Sequence, residues 1–175
     1  MVKKACTLIA AIFVICLGAT ICTGYDFEGE PLYKGEPLLR FLGRPIADVV
    51  KVFGQPTMDD WYEGVQCYGY NDNEIIFYFG GYTSESGTKL SDKTHYVAAA
   101  PRTLEIDGKN LNMNRAELVK TFSYPYKEEG FFNAMDEVYQ FIITYNGTNF
   151  TMRFHMDPPE EKVRYIEIFP KQDDE

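Results

Sequence analysis

The chain has 175 residues, with 17 Lys+Arg against 26 Asp+Glu, a net charge of −9, and 13 Phe, 13 Tyr and 1 Trp. That length suits one domain or two small ones with a real core, and the aromatic content excludes intrinsic disorder. The acidic balance excludes a binder of nucleic-acid backbones and argues against docking on an anionic membrane surface.

Residues 1–24 predict a secretory signal peptide. Lys3 and Lys4 form a basic start, Ala5 to Ala19 form an uncharged apolar run, and small residues follow. Cleavage after Ala19, Cys22 or Gly24 fits equally. The alternatives are an uncleaved anchor, since a span of about 20 apolar residues fits between Lys4 and Asp26, and lipidation at Cys22. The second conflicts with Ile21, where a small residue is expected. Without Lys3 and Lys4 the charge of −9 becomes −11. Cys6, Cys16 and Cys22 leave with the segment, so the lone Cys67 reads as a buried small hydrophobe.

Residues 25–37 predict an extended linker. Gly-Glu-Pro-Leu occurs at 29–32 and again at 35–38, and Pro and Gly at these spacings break regular structure. Residues 38–101 predict a first α+β unit. A short helix uses Pro45 in its first turn, buries Ile46, Val49, Val50 and Phe53, and ends at Gly54 and Pro56. The runs VQCYGY and EIIFYF flank an Asn71-Asp72-Asn73 turn, and THYVAAA closes the unit after a polar loop.

Residues 102–171 predict a second unit of the same kind, followed by an acidic tail at 172–175. Asn114 and Glu117 make a capping-box start, Leu118, Val119 and Phe122 the apolar face, and Pro125 the end. Asn146-Gly147 between alternating runs predicts a hairpin. KVRYIEIF adds a strand after the Pro158-Pro159 turn. The units are related by an offset of 69: ADVVKVFGQP from Ala47 matches AELVKTFSYP from Ala116. Both helices are about ten residues long and need a sheet to pack on. The expected fold is therefore α+β: two tandem units, each a short helix packed on a three- to four-stranded antiparallel sheet.

Strand alternation assigns Tyr139, Phe141, Ile143, Phe150, Met152, Phe154, Ile166 and Ile168 to the helix-covered core. Gln140, Thr144, Arg153, His155, Tyr165 and Glu167 take the opposite face, with Tyr68, Tyr70 and Tyr78 as their counterparts in the first unit.

The segment LNMNRAELVKTFSYP resembles the helix signature of the β-lactamase-inhibitor-protein-like superfamily and of SmpA/OmlA-type envelope lipoproteins. Met113, Asn114, Glu117 and Pro125 match that pattern, while Asn112 and Phe122-Ser123 depart from it. FLGRPIADVVKVFGQP is similar, keeping Gly54 and Pro56. The resemblance implies an extracytoplasmic, non-enzymatic protein that binds other proteins. The inhibitors use disulfides that this chain lacks, which argues against β-lactamase inhibition as its role.

No nucleophile elbow, phosphate loop or dinucleotide fingerprint occurs. His95 and His155 stand too far apart in sequence for a typical metal cluster, and Asn71-Asp72-Asn73-Glu74 lacks the EF-hand spacing. No catalytic residue, metal or cofactor is assigned. The acid pairs Asp59-Asp60, Glu128-Glu129 and Glu160-Glu161 read as solvated loop charge. The sequons at Asn146 and Asn149 read as turn and strand residues. The expected function is an exported binding module that recognises a protein or cell-envelope component through an open sheet face. Its candidate binding residues are Trp61, Tyr62, Tyr68, Tyr70, Arg153, His155, Tyr165 and Glu167. The alternatives are a hydrolase or carbohydrate-active enzyme around His155, Arg153 and Glu167, or a structural envelope protein tethered by an uncleaved signal.

Overall fold

Turn and cap chemistry sets the path of the chain. The computed structural model describes residues 29–80, 92–122, 126–128, 137–157 and 161–170. The signal segment, the Pro125 stop, the Pro158-Pro159 turn and the acidic tail lie outside the described residues. In chain order the strands and helices are β1 (Leu32–Tyr33), β2 (Glu36–Pro37), α1 (Ile46–Phe53), β3 (Met58–Tyr62), β4 (Val65–Tyr70), β5 (Ile75–Phe79) and β6 (Thr94–Ala99). They continue with β7 (Leu104–Ile106), β8 (Lys109–Asn110), α2 (Arg115–Thr121), β9 (Tyr126–Glu128), β10 (Glu137–Tyr145), β11 (Thr148–Asp157) and β12 (Lys162–Pro170). The fold class is α+β, dominated by antiparallel sheet.

Helix α1 is 8 residues long, with Pro45 at its cap rather than within the first turn. It ends at Gly54, whose φ of 80° only glycine adopts freely. Helix α2 has 7 residues and the expected capping box. The Asn114 side chain accepts the Glu117 N–H at 2.9 Å, and the Glu117 carboxylate accepts the Asn114 N–H at 3.0 Å. Asn146 and Gly147, at φ 48° and 74°, form the primed turn that joins β10 to β11.

Strands β3 to β6 and β9 to β12 make one continuous sheet of eight strands, in the order β3-β4-β5-β6-β12-β11-β10-β9. The junction pairs β6 with β12 in antiparallel register, Ala98 opposite Glu167. Two bulges interrupt the ladders. Tyr78 faces Tyr96 while Phe79 faces Thr94, which leaves His95 as the extra residue. His155 faces Tyr165 while Met156 faces Val163, which leaves Arg164 extra.

One face of this sheet is covered. Phe53 of α1 packs on Tyr70 and Phe77, at 5.4 and 5.5 Å between ring centroids. Phe122, just after α2, packs on Phe141 at 4.3 Å and Phe154 at 5.1 Å. Val49 and Leu118 of the helices are fully buried in the same core. Tyr139, Phe141, Phe150, Met152, Phe154, Ile166 and Ile168 are buried there as alternation requires; the side chain of Ile143 lies outside the described set.

Three expectations need correction. Residues 25–37 are not simply an extended linker: β1 and β2 form a small hairpin, and β1 pairs with β7 in a second sheet of four strands, β2-β1-β7-β8. Tyr33 drives this, because its ring is 1% exposed and packs 5.9 Å from Phe53. Its hydroxyl accepts a bond from Asn71 Nδ2 at 2.6 Å. Asp59 and Asp60 are not loop residues but lie in β3, paired with Tyr68 and Cys67. Glu128 likewise lies in β9. Strand β3 ends the sheet among the described residues, so its acids point into solvent without a burial penalty. The Asp60 carboxylate accepts the Trp61 backbone N–H at 2.8 Å.

Candidate functional site

The other face of the large sheet carries the side chains that alternate away from the core. Register places Tyr62, Cys67, Tyr78, Tyr96, Ala98, Glu167, Phe169, Arg153, His155 and Tyr165 on it. A row of rings drawn from β3, β5, β6 and β12 crosses this face. Tyr62 meets Tyr78 edge-on at 6.3 Å, Tyr78 stacks on Tyr96 at 4.2 Å and 9°, and Tyr96 stacks on Phe169 at 4.9 Å and 22°. The Arg153 guanidinium closes the row, 4.8 Å from the Phe169 centroid, while its Nε donates to Gln140 Oε1 at 2.8 Å.

A second group lies one strand row away. His155 stacks on Tyr165 at 4.0 Å and 14°, and His155 Nε2 lies 2.8 Å from Glu167 Oε2. Arg164, itself exposed, lies 5.2 Å from the Tyr165 centroid. The structure thus brings Arg153, His155, Tyr165 and Glu167 onto one surface.

The other four candidate residues separate. Tyr62 shares the open face and is 55% exposed. Trp61, its neighbour in β3, alternates to the helix side and is 52% exposed. Tyr68 and Tyr70 are misplaced by the sequence reading. Tyr68 packs edge-on against Phe79 at 4.5 Å on the helix side, and Tyr70 is a core residue, 3% exposed. The reason is register: both tyrosines share a face with Ile75 and Phe77 across the β4–β5 hairpin, while Cys67 and Gly69 take the open side. Cys67 is buried as expected, and burial raises its thiol pKa.

Sequence reasoning missed Tyr96 and Phe169. A signal existed: in THYVAAA and IEIF they stand out of phase with Val97 and Ile168, whose burial fixes the covered side. Burial holds the Tyr78 hydroxyl up to about 12, helped by the Cys67 and Glu167 charges. Burial raises Tyr96 further, with Tyr78, Glu167 and Glu63 adding to it. Both tyrosines therefore act as neutral donors and acceptors at ordinary pH.

Between the two groups the sheet dips over Ala98. The concavity holds about 450 Å³ and is walled by Tyr78, Tyr96, Tyr165 and Glu167. Among the described residues no cluster of three or more His, Cys, Asp or Glu is placed to hold a metal ion. Glu74, in the turn weighed for calcium, is bound to Lys34 Nζ at 3.0 Å and Arg102 at 3.2 Å. His95 at its bulge has a buried Nε2 with no hydrogen-bond partner among the described residues, and burial lowers its pKa. None of the described helices is long and apolar enough to cross a membrane.

No protein-family model matches the chain, and no curated protein matches it. Two solved structures are similar in shape. One is a cysteine-rich secretory protein from Staphylococcus aureus subsp. aureus Mu50, 14% identical, with a TM-score of 0.48 over 83% of this chain and 47% of that one. The other is an extracellular protein containing a SCP domain from Bacillus anthracis str. Ames, 10% identical, with a TM-score of 0.48 over 98% of this chain and 50% of that one. The chain spans about half the length of each, and at these values neither likeness carries an argument about function.

Proposed function

We propose that this chain is an exported, non-enzymatic binding module of two helix-plus-meander units, which recognises a protein or cell-envelope component through the open sheet face. The observation that carries this is the ring row Tyr62–Tyr78–Tyr96–Phe169, capped by Arg153, on a face that no described element covers. Aromatic rings and arginine supply contact area at low entropic cost, and they dominate interface energetics. Residues 1–24 support export.

The offset of 69 found in the helices supports the duplication further. It carries Tyr96 onto Tyr165, and the bulge residue His95 onto Arg164. It carries Ala98 onto Glu167, and these two residues face each other across the β6–β12 junction. A pair that maps onto itself is what a pseudo-two-fold axis through that point would give, and it supports the duplication. The stacks obey it too: Tyr78 on Tyr96 in one half answers to His155 on Tyr165 in the other. The resemblance to the inhibitor-like superfamily rests on the helix signature and carries no partner with it.

Trp61 and Tyr62 give a paired test, because they are adjacent, similarly exposed and on opposite faces. A partner captured from the native envelope should be lost with Tyr62→Ala/Tyr165→Ala and kept with Trp61→Ala. Retention by the double variant would refute the open-face reading.

A hydrolase is the second reading, favoured by one contact: His155 Nε2 and Glu167 Oε2 are within proton-transfer reach at 2.8 Å beside the concavity. Turnover of a glycoside or ester substrate that disappears in both His155→Ala and Glu167→Gln would establish it over the binding module.

A further inference from the structure

The concavity over Ala98 lies at the β6–β12 junction between the two halves of the sheet. In one half Phe169 stacks on Tyr96; the residue 69 positions earlier is Ala100, whose small side chain lines the concavity together with Tyr165. Across the junction, Glu167 faces Ala98. The dip thus has an apolar floor, tyrosine walls and one carboxylate set into its side.

We infer that this dip is a receptor site for a basic side chain, lysine or arginine, presented by a protein partner, with Glu167 as its counter-ion. The inference rests on the open-face reading and sharpens it to one ligand chemistry.

Three observations favour a cation on a protein over a glycan or an anion. First, sugars stack on ring faces, and here the rings other than Tyr62, which is 55% exposed, have theirs engaged. Tyr96 lies between Tyr78 and Phe169, Arg153 covers Phe169, and His155 and Arg164 flank Tyr165. What the rings present outward is edges and hydroxyls, the surface of a protein interface. Second, the walls suit a long side chain with a charged tip. Ile76, Ala98 and the tyrosine edges can cover a methylene stem, and the volume of about 450 Å³ exceeds one such side chain. Third, the lining holds one carboxylate, that of Glu167. The Glu167 side chain is 18% exposed, so its carboxylate is only partly solvated, and one of its oxygens contacts His155. Glu63 adds negative charge near Tyr96, and the chain as a whole carries −9. Arg164 in the lining and Arg153 opposite Glu167 in register are the opposing features, since a carboxylate ligand would use them; the test therefore includes one.

The experiment is a titration of the exported chain, followed by amide ¹H–¹⁵N shifts, with four probes: n-butylammonium, methylguanidinium, butyrate and methyl β-D-glucoside. Both cations should shift the amides of Ala98, Tyr165 and Glu167 saturably. Glu167→Gln should weaken them about fivefold or more, as loss of a charged hydrogen-bond partner does. Ala98→Phe fills the dip and should abolish saturation with its amide dispersion intact; should that variant unfold, Glu167→Gln decides alone. Butyrate or the glucoside binding the same amides as tightly as the cations would overturn the inference. So would cation binding unchanged in Glu167→Gln. If no probe binds while Tyr62 and Tyr165 remain essential for capture, the basic-side-chain site falls and the open-face reading stands. If the cations bind at the dip but capture is indifferent to the face variants, the open-face reading falls instead.

Discussion

Replacing Tyr70 separates a core residue from a binding residue. Its ring is 3% exposed, 5.4 Å from Phe53 and 6.0 Å from Phe77, at the point where α1 seats on the sheet. Truncating an aromatic in such a site to alanine costs about 3–5 kcal/mol, since transfer and cavity penalties add. In a chain of this size 1 kcal/mol moves the melting temperature by about 2–4 °C, so Tyr70→Ala should melt about 6–20 °C lower. Tyr70→Phe keeps the ring and removes only a long hydrogen bond, 3.4 Å to the Gly54 carbonyl. It should cost about 1 kcal/mol or less. Urea unfolding followed by far-UV circular dichroism measures both, and the slope with denaturant should stay constant. Alkaline pH gives an independent check. Burial pushes the Tyr70 hydroxyl up to about 12 in the folded state, against 10 in the open chain. The folded state therefore holds the proton more tightly, and this stability is complete below pH 10 and lost as pH rises through about 12. Tyr70→Phe should flatten that part of the loss. If Tyr70→Ala melted like the wild type while losing a bound partner, the core assignment would be refuted.

Three further outcomes are expected. Asn114→Ala removes the side-chain acceptor of the Glu117 N–H in the α2 capping box and should cost about 1 kcal/mol, read as faster hydrogen exchange of the α2 amides. Lys34 first, and then Arg102, lower the Glu74 carboxyl pKa below its usual 4.5, so its contribution is present above pH 4.5 and lost as pH falls below it; Glu74→Gln should flatten the acid limb of the stability curve. The Cys67 thiol is buried and its pKa raised, so a thiol reagent should label it slowly when folded and fast in denaturant; equal rates would contradict its burial.

The local rules of the chain explain what could be read from it in advance. Capping residues, an Asn-Gly turn and strict alternation each act within a few positions, and the helices, the β10–β11 hairpin and the described core positions of β10 to β12 followed from them. The misses are non-local. Strand β3, MDDWY, has no alternation of its own and forms because β4 pairs with it. Strands β1 and β2, two residues each, exist through β7, some seventy positions away in sequence. In VQCYGY both parities carry apolar residues, so the face of Tyr68 and Tyr70 is settled only by their partners in β5. The candidate site divides along the same line. Arg153, His155, Tyr165 and Glu167 come from strands with a clear phase. The dip over Ala98 depends on which strands meet at the junction, and nothing local encodes that.

The bond between the Asp60 carboxylate and the Trp61 N–H has a consequence for how large this sheet can grow. An open sheet is a template at each end, and a second copy could extend it indefinitely into a fibre. At the β3 end the chain blocks its own template. A docking strand would have to displace Asp60 from the backbone, and a copy of the same strand would bring Asp59 and Asp60 against their own likeness. Among the described residues the sheet ends on that side at a strand whose edge carries an intramolecular contact and two carboxylates, which disfavours growth by strand addition.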